Sequence, residues 1–272
     1  LFTVLASCVI CAVGLLYPED YQPFARSLIA ASLFVSSFLF SRETGYFDGA
    51  AEDKPLLHTW SLSVEEIFYL LFPLALAFLF RRLRRHLRRI LLILGLSSFA
   101  ASILALRLEP HSPAVFFLAQ YRVWELLLGA LLATWKLPLK INHPHANVLT
   151  VIGLLMIAGA VFGYSKLTPF PGAAALLPCL GAALIICSGH QADSLPRWLL
   201  TNRLMVFIGL ISYSLYLWHW PVLVFFTHWA GHKPDVMESG LLVIVAVALA
   251  YLSWRFVERP FRGNQGLLSQ QH

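Results

Sequence analysis

Residues 58–80 read HTWSLSVEEIFYLLFPLALAFLF, and this stretch decides the fold. From Leu62 to Phe80 nearly every residue is apolar, and the run is close to the roughly 20 residues that an α-helix needs to cross a bilayer core. Glu65 and Glu66 interrupt the run near its start. An ionised group inside a span costs about 2.5–3.5 kcal/mol on insertion scales, so two adjacent carboxylates in a membrane helix need a specific explanation.

The whole chain has the composition of a membrane protein. Of its 272 residues, 58% are hydrophobic and 12% are charged, against about 25% charged in soluble domains. The run at 26–40 is short, and we predict a re-entrant or interfacial helix there. The expected fold is an all-α, polytopic transmembrane helix bundle over 1–262, followed by a tail at 263–272. The predicted spans are 1–17, 62–80, 90–107, 115–135, 148–164, 170–188, 205–228 and 240–256.

The distribution of basic residues predicts the orientation. The run Arg81–Arg89, the loops 136–147 and 189–204 and the residues after Trp254 together hold 13 of the 20 Lys and Arg residues. The positive-inside rule places these regions, and with them the C-terminus, in the cytoplasm. The arginine run is expected to contact anionic lipid headgroups, with a phosphorylated donor such as a coenzyme as the alternative. Nucleic acid is not an expected partner.

Metal chemistry is not expected either. Cys8 and Cys11 have a C-x-x-C spacing, but they lie in an apolar run without a second pair of ligands nearby. His143 and His145 flank a proline in a loop and have no obvious further ligands. Packing inside the membrane explains the cysteines better than metal or redox chemistry does.

The carboxylates near the start of the 62–80 helix form the first candidate site. Ser61, Glu65 and Tyr69 fall on one helical stripe at i, i+4 and i+8, while Glu66 points about 100° away. The functional interpretation is substrate positioning or proton handling in a polar cavity. The structural alternative is an ion pair, or carboxylates that the helix dipole favours near a helix N-terminus.

The second candidate site is Arg122 with Glu125. Three residues apart, they can pair along one helix face and so neutralise each other in lipid. Arg122 can equally pair with Glu65 or Glu66. A purely structural ion pair is the alternative to a functional one.

The third candidate site lies in the run ISYSLYLWHWP at 211–221. Ser212, Tyr216 and His219 fall at i, i+4 and i+7 and form one polar stripe on an otherwise apolar helix. The ordinary pKa of histidine suits His219 to general acid–base work. A satisfied core histidine is the structural alternative. Farther along, Glu258 and Arg259 are expected to anchor the end of the last span.

These motifs, in this order, resemble the membrane acyltransferase-3 family, the O-acetyltransferases that modify bacterial surface polysaccharides. The resemblance covers almost the whole chain, with Ile67 standing where the family usually has Gln. The preceding GYFD at 45–48 is similar to the polysaccharide-modifying branch of that family. The matching runs are HTWSLSVEEIFYLLFP at 58–73, RVWEL at 122–126, ISYSLYLWHWP at 211–221 and VERPFR at 257–262.

The resemblance implies a ten-helix domain with both ends in the cytoplasm. Two helices are then expected upstream of Leu1, which leaves about eight in this chain and implies that 26–40 does not cross. The family's central Arg and His lie on the first of those helices and match no residue here. The chain on its own is therefore expected to be inactive.

The function that the resemblance implies is transfer of an acyl group, with acetyl expected, from cytoplasmic acetyl-CoA to a hydroxyl of a cell-envelope glycan. The acceptor is expected to be of the O-antigen, exopolysaccharide or peptidoglycan type, and the protein is expected in the inner membrane of a bacterium among lipids. The expected auxiliary catalytic residues are His219, Tyr216 and Ser212. The expected substrate-binding residues are His58, Trp60, Ser61, Glu65, Glu66, Tyr69, Arg122 and Glu125.

Two rival functions remain open at this point. Paired charges inside a helix bundle also suit a transporter of a small anionic or lipid-linked substrate. No inverted repeat is evident in the sequence, which counts weakly against a transporter. A non-catalytic remnant of the enzyme is the second rival, because the family's central residues are not in this chain.

Overall fold

The computed structural model describes residues 1–43, 53–110, 112–134, 143–165, 167–188 and 195–262. All regular structure in these ranges is helical, which confirms the all-α fold class. The helices are α1 (Phe2–Leu15), α2 (Tyr21–Ser32), α3 (Ser36–Glu43), α4 (Thr59–Leu83), α5 (Leu87–Leu108), α6 (Pro113–Phe117), α7 (Val123–Thr134), α8 (His143–Gly163), α9 (Leu176–Ser188), α10 (Leu195–Thr201), α11 (Arg203–Ala230), α12 (Val236–Ser253) and α13 (Arg259–Arg262).

The long helices have the length and composition of membrane spans. Four helical segments in the described ranges reach that length, at Thr59–Leu108, His145–Gly163, Arg203–Ala230 and Val236–Phe261. The first contains both α4 and α5, joined by the 3₁₀ turn Arg84–His86. Large apolar side chains of α4, such as Leu70, Leu74 and Phe78, are exposed. Exposed apolar surface on this scale fits contact with lipid. The chain is thus a multi-pass membrane protein.

Two of the apolar runs are interrupted by turns. The run at 26–40 is divided between α2 and α3, and Phe34 between them adopts a positive φ of 56°. The run at 115–135 is divided between α6 and α7 by the 3₁₀ turn Ala119–Tyr121. Ser98 of α5 satisfies backbone groups at this second break, since its Oγ donates to the Gln120 carbonyl at 2.7 Å and accepts from the Trp124 N–H at 3.3 Å. Such side-chain partners make a helix break tolerable in an apolar setting.

The chain forms two compact units. The first contains residues 1–39, 53–62 and 203–262 of the described chain. Its core is built on α1 and α11, where the buried side chains include Val4, Cys8, Leu217 and Phe225. At the start of α12, Asp235 and Glu238 form a capping box with bonds of 2.8 and 2.9 Å, which satisfies two N–H groups at this helix end.

The second unit contains residues 63–202 and the end of α3. In this unit α8 packs closely against α9. A Cβ atom at Gly153 would lie 2.6 Å from the Gly181 carbonyl oxygen, and one at Gly181 would lie 2.7 Å from that of Gly153. Thr150 and Ser188 hydrogen-bond across the same pair at 2.8 Å. Small residues and interhelical hydroxyls are the usual means by which membrane helices approach closely.

Replacing Gly153 with alanine is expected to destabilise the protein by about 1–3 kcal/mol, because the added methyl overpacks the contact with Gly181. Gly159 of the same helix is the matched control, since a Cβ there meets only Leu177 at 3.8 Å. Gly159→Ala is expected to be neutral, or to stabilise by up to about 1 kcal/mol through helix propensity. Unfolding of the full-length protein in mixed micelles measures both variants. Equal stability of the two would contradict the close contact.

Candidate functional site

In the first unit, the turn before α4 is hydrogen-bonded to α11. The Tyr216 hydroxyl donates to the backbone carbonyl of His58, and the Trp220 Nε1–H donates to the carbonyl of Lys54 at 2.9 Å. Ser61 Oγ lies 2.6 Å from Tyr216 Oη. Since the tyrosine has a single hydroxyl proton and gives it to His58, Ser61 must be the donor in this second bond. Tyr216 therefore fixes both ends of the segment from His58 to Ser61.

Three rings meet at this junction. The centroid of the His58 ring lies 5.5 Å from that of Tyr216 and 5.8 Å from that of His219, with interplanar angles of 63° and 73°. The rings of Tyr216 and His219 are 5.5 Å apart. Centroid separations in this range are typical of packed aromatic groups. The structure thus joins two histidines, a tyrosine and a serine from motifs that are far apart in the sequence.

The two histidines have different environments. His219 is exposed, and its Nδ1 lies 2.7 Å from the Tyr216 carbonyl within α11. A carbonyl can only accept, so Nδ1 carries the proton and Nε2 of the neutral ring is left with a lone pair. His58 is 5% exposed. Burial lowers its pKa to about 3, His219 adds to this effect, and the smaller influence of the Leu217 backbone opposes it. His58 is therefore neutral at physiological pH.

A groove of about 400 Å³ lies beside this cluster, between α11 and α12. The α11 wall carries the stripe of Ser212, Tyr216 and His219, as the helical spacing predicted. The α12 wall is aliphatic, from Val243, Ala246 and Val247. The Ser212 hydroxyl is exposed and donates to the Gly209 carbonyl at 2.9 Å. The groove thus offers one wall of hydroxyl and imidazole groups and one wall without polar side chains.

The other polar residues of the first motif do not share one environment. Glu65 and Trp60 are half-buried and Glu66 is exposed. Tyr69 is 58% exposed. The stripe predicted for Ser61, Glu65 and Tyr69 therefore begins at the buried Tyr216 contact and ends at an exposed ring. Its members have separate surroundings despite their regular spacing on α4.

In the second unit, Arg122 and Glu125 form the ion pair that their spacing allowed. Arg122 Nη2 lies 3.1 Å from Glu125 Oε2, with side-chain exposures of 14% and 21%. The guanidinium also lies over the rings of Phe116 and Phe170, at 5.5 and 5.3 Å from their centroids. Aromatic faces and a carboxylate both stabilise a cation that has lost water. This arrangement agrees with the structural interpretation of the pair.

The end of the last long helix is held by a further bond in the first unit. Ser214 of α11 is fully buried, and its hydroxyl donates to Glu258 Oε1 in the π-helical turn Trp254–Glu258. The bond links the third sequence motif to the fourth, which agrees with the anchoring role expected of Glu258.

Ser214→Ala is expected to cost about 1.5–3 kcal/mol, the range for a hydrogen bond to a charged group. Ser7→Ala in α1 is the matched control, because that exposed hydroxyl bonds only to the Thr3 carbonyl one turn away. A change within about 0.5 kcal/mol is expected for the control. Thermal unfolding of the purified full-length protein measures the stability of both variants. An equal loss of stability in the two would show that the bond from Ser214 to Glu258 does not anchor the helix end.

Several sequence predictions fall on other parts of the chain. The described residues contain no group of three or more His, Cys, Asp or Glu side chains that could hold a metal ion. GYFD at 45–48, the tail 263–272 and the side chain of His143 lie outside the described residues. All six arginines of the Arg81–Arg89 run are exposed at the junction of α4 and α5.

A helical membrane bundle that carries a buried histidine, a tyrosine and a second histidine beside a groove is compatible with acyl-transfer chemistry, and comparison with known families agrees. The model of a family described as an acyltransferase domain, the acyltransferase-3 family, matches residues 1–255. The chain belongs to this family.

The relatives carry related names. The chain is 31% identical to O-acetyltransferase OatA of Staphylococcus aureus, over 94% of this chain and 44% of the relative. It is 31% identical to the putative peptidoglycan O-acetyltransferase YrhL of Bacillus subtilis, over 93% of this chain and 42% of the relative. The chain therefore spans less than half the length of these two relatives. It is also 32% identical to an uncharacterized Haemophilus influenzae protein, over 70% of this chain and 81% of that one. No solved structure matches.

Proposed function

We propose that this protein is a membrane-bound O-acyltransferase that moves an acetyl group from acetyl-CoA to a hydroxyl of a cell-envelope glycan. The observation that carries the proposal is the junction of His58, Ser61, Tyr216 and His219 beside the groove. Family membership supports acyl transfer, and the name of the OatA relative supports O-acetylation. The name of the YrhL relative favours peptidoglycan as the acceptor.

The chemistry requires a proton acceptor for the attacking hydroxyl. In the proposed reaction the hydroxyl oxygen adds to the acyl carbonyl carbon, the C–S bond of the thioester breaks, and the hydroxyl proton ends on the thiolate sulfur. His219 assists as a proton carrier, because its Nε2 has a lone pair and the ring lies at the open groove. Tyr216 positions this ring, and Ser212 binds a polar group of the substrate in the same groove.

The donor and the acceptor approach from opposite sides in this proposal. Acetyl-CoA is charged and stays in the cytoplasm of the bacterium, on the side of the C-terminus and the basic loops. The acceptor glycan lies on the outer side of the inner membrane. Trp60, Glu65, Glu66 and Tyr69 contribute to binding it, with Arg122 and Glu125 in a supporting role. Membrane lipids surround the long helices, and no metal takes part.

A deletion strain complemented with the full-length gene tests the proposal. Peptidoglycan is digested to muropeptides under neutral conditions, which preserve esters, and O-acetyl groups are counted by mass spectrometry. Loss of acetylated muropeptides on deletion, with recovery on complementation, is expected. Isotopically labelled acetyl-CoA supplied to inverted membrane vesicles should place its label in the same products. An unchanged acetyl content in the deletion strain, with other envelope glycans also unchanged, would rule out this function and leave the transporter and the non-catalytic remnant.

A further inference from the structure

A second groove, of about 500 Å³, lies in the second unit, with α4 on one side and α5 and the start of α7 on the other. Its α4 wall is a single helical stripe that runs from Val64 to Ala75, a length of about 16 Å along the helix. Phe68 and Phe72 stack on this wall, with ring centroids 4.6 Å apart. The groove is therefore long, and it follows the axis of a membrane span.

The lining of this groove favours hydrocarbon over water. Its polar residues are Ser97, Ser98 and Gln120, and all its other lining residues are apolar. The two serine hydroxyls already donate to the backbone carbonyls of Leu94 and Gln120, at 2.9 and 2.7 Å. An ordered water needs about 2–4 polar partners, and apolar walls do not supply them. Leu94 in the lining and Leu74 beside the α4 wall are exposed, so the groove opens towards lipid chains.

A cation lies in line with one end of the groove. Arg82 is seven residues beyond Ala75, so the helical period places it on the same face of α4, about 10 Å past the groove. Arg81, the preceding residue, points about 100° away from that face. Both arginines are exposed, and no carboxylate of the described residues lies within ion-pair distance of either one. Arg82 can therefore bind an anionic group whose apolar part lies in the groove.

We propose that this groove and Arg82 form a binding site for one anionic phospholipid, with a fatty-acid chain in the groove and the phosphate at Arg82. The phosphate receives charge-assisted hydrogen bonds from the guanidinium. The chain gains no hydrophobic energy by leaving other lipids, which are equally apolar, so its binding depends on packing against the groove walls. The headgroup charge therefore decides which lipid binds, and the groove decides where its chain lies.

Photo-crosslinking locates the chain. The full-length protein is placed in phosphatidylcholine vesicles with a trace of either phosphatidylglycerol or phosphatidylcholine that carries a diazirine on one chain, and labelled peptides are identified by mass spectrometry. The phosphatidylglycerol probe is expected to label the groove residues within 64–75 and 94–101 more than the phosphatidylcholine probe does. Unlabelled phosphatidylglycerol should compete with it. Groove labelling that is absent, or equal for the two probes, would overturn the proposal.

Two tryptophan variants of α4 test the role of the groove. Ala75→Trp fills the groove and is expected to lower its labelling by about tenfold or more, because the chain is held there by packing alone. Ala77→Trp adds the same side chain about 200° round the helix, outside the groove, and is the matched control. It should retain the labelling within about twofold. The unfolding midpoints of both variants are measured beside the labelling, and equal labelling in two folded variants would contradict the site.

Two arginine variants separate a specific headgroup contact from general attraction. Arg82→Gln is expected to weaken binding of the phosphatidylglycerol probe by about 10–100-fold, because a charge-assisted hydrogen bond is lost. Arg81→Gln removes the same charge from the next position and is expected to weaken it by no more than about fivefold, the general effect of one cation near anionic headgroups. Equal effects would overturn the proposal, since diffuse attraction then explains the binding. Displacement of the probe by acetyl-CoA would also overturn it and assign Arg82 to the coenzyme.

Discussion

His219→Gln is expected to lower acetyl transfer by about 10²–10⁴, the contribution typical of a positioned proton-transfer group. The Gln side-chain amide keeps a donor for the Tyr216 carbonyl but has no basic nitrogen to replace Nε2. Because His219 is exposed beside the groove, its replacement should leave the unfolding midpoint nearly unchanged. Initial rates with the full-length protein in vesicles, at saturating acetyl-CoA, measure the loss.

His228→Gln is the matched control for that experiment. His228 lies on the same helix, and its Nδ1 makes the same kind of intrahelical bond, to the Val224 carbonyl at 2.9 Å, but it is not among the residues that line the groove. Its replacement is expected to leave the rate within about twofold of wild type, as for a residue outside the site. Similar rates for the two variants would show that His219 has no part in proton transfer.

Arg122→Met is expected to cost about 3–5 kcal/mol, because it leaves the Glu125 carboxylate without its cation in an apolar setting. The ion-pair distance of 3.1 Å and the exposures of 14% and 21% place this pair among the desolvated ones. Unfolding of the full-length protein in mixed micelles gives the free energy. Arg88→Met, at an exposed arginine near the start of α5, controls for loss of a positive charge and is expected to be nearly neutral.

The double variant Arg122→Met with Glu125→Leu distinguishes a structural pair from a functional one. Replacing both partners by apolar groups of similar volume is often neutral, so most of the lost stability is expected to return. A coupling energy near zero between the two sites would show that the pair contributes nothing. If the double variant has normal stability but no longer transfers acetyl groups, the result assigns Arg122 to substrate binding.

Local patterns predicted several features correctly for a physical reason. The stripe of Ser212, Tyr216 and His219 follows from the 3.6-residue period of a helix, and these side chains line one groove. The pair of Arg122 and Glu125 follows from the same period. Helix breaks were harder to predict, because the turn at 119–121 depends on Ser98 of another helix, which binds the freed backbone groups.

The sequence by itself determined that this is an all-α membrane protein. The length of an apolar run and its lack of charged residues control whether that run inserts into the bilayer as a helix, and both can be read from the sequence. Its motifs were also enough to indicate the acyltransferase-3 family. Only the tertiary structure decided which polar residues form a site. The Tyr216 bond to His58 joins positions 158 residues apart, and no local periodicity encodes such a contact. It depends instead on how α11 packs against the turn before α4, where burial gives His58 a different chemistry from His219.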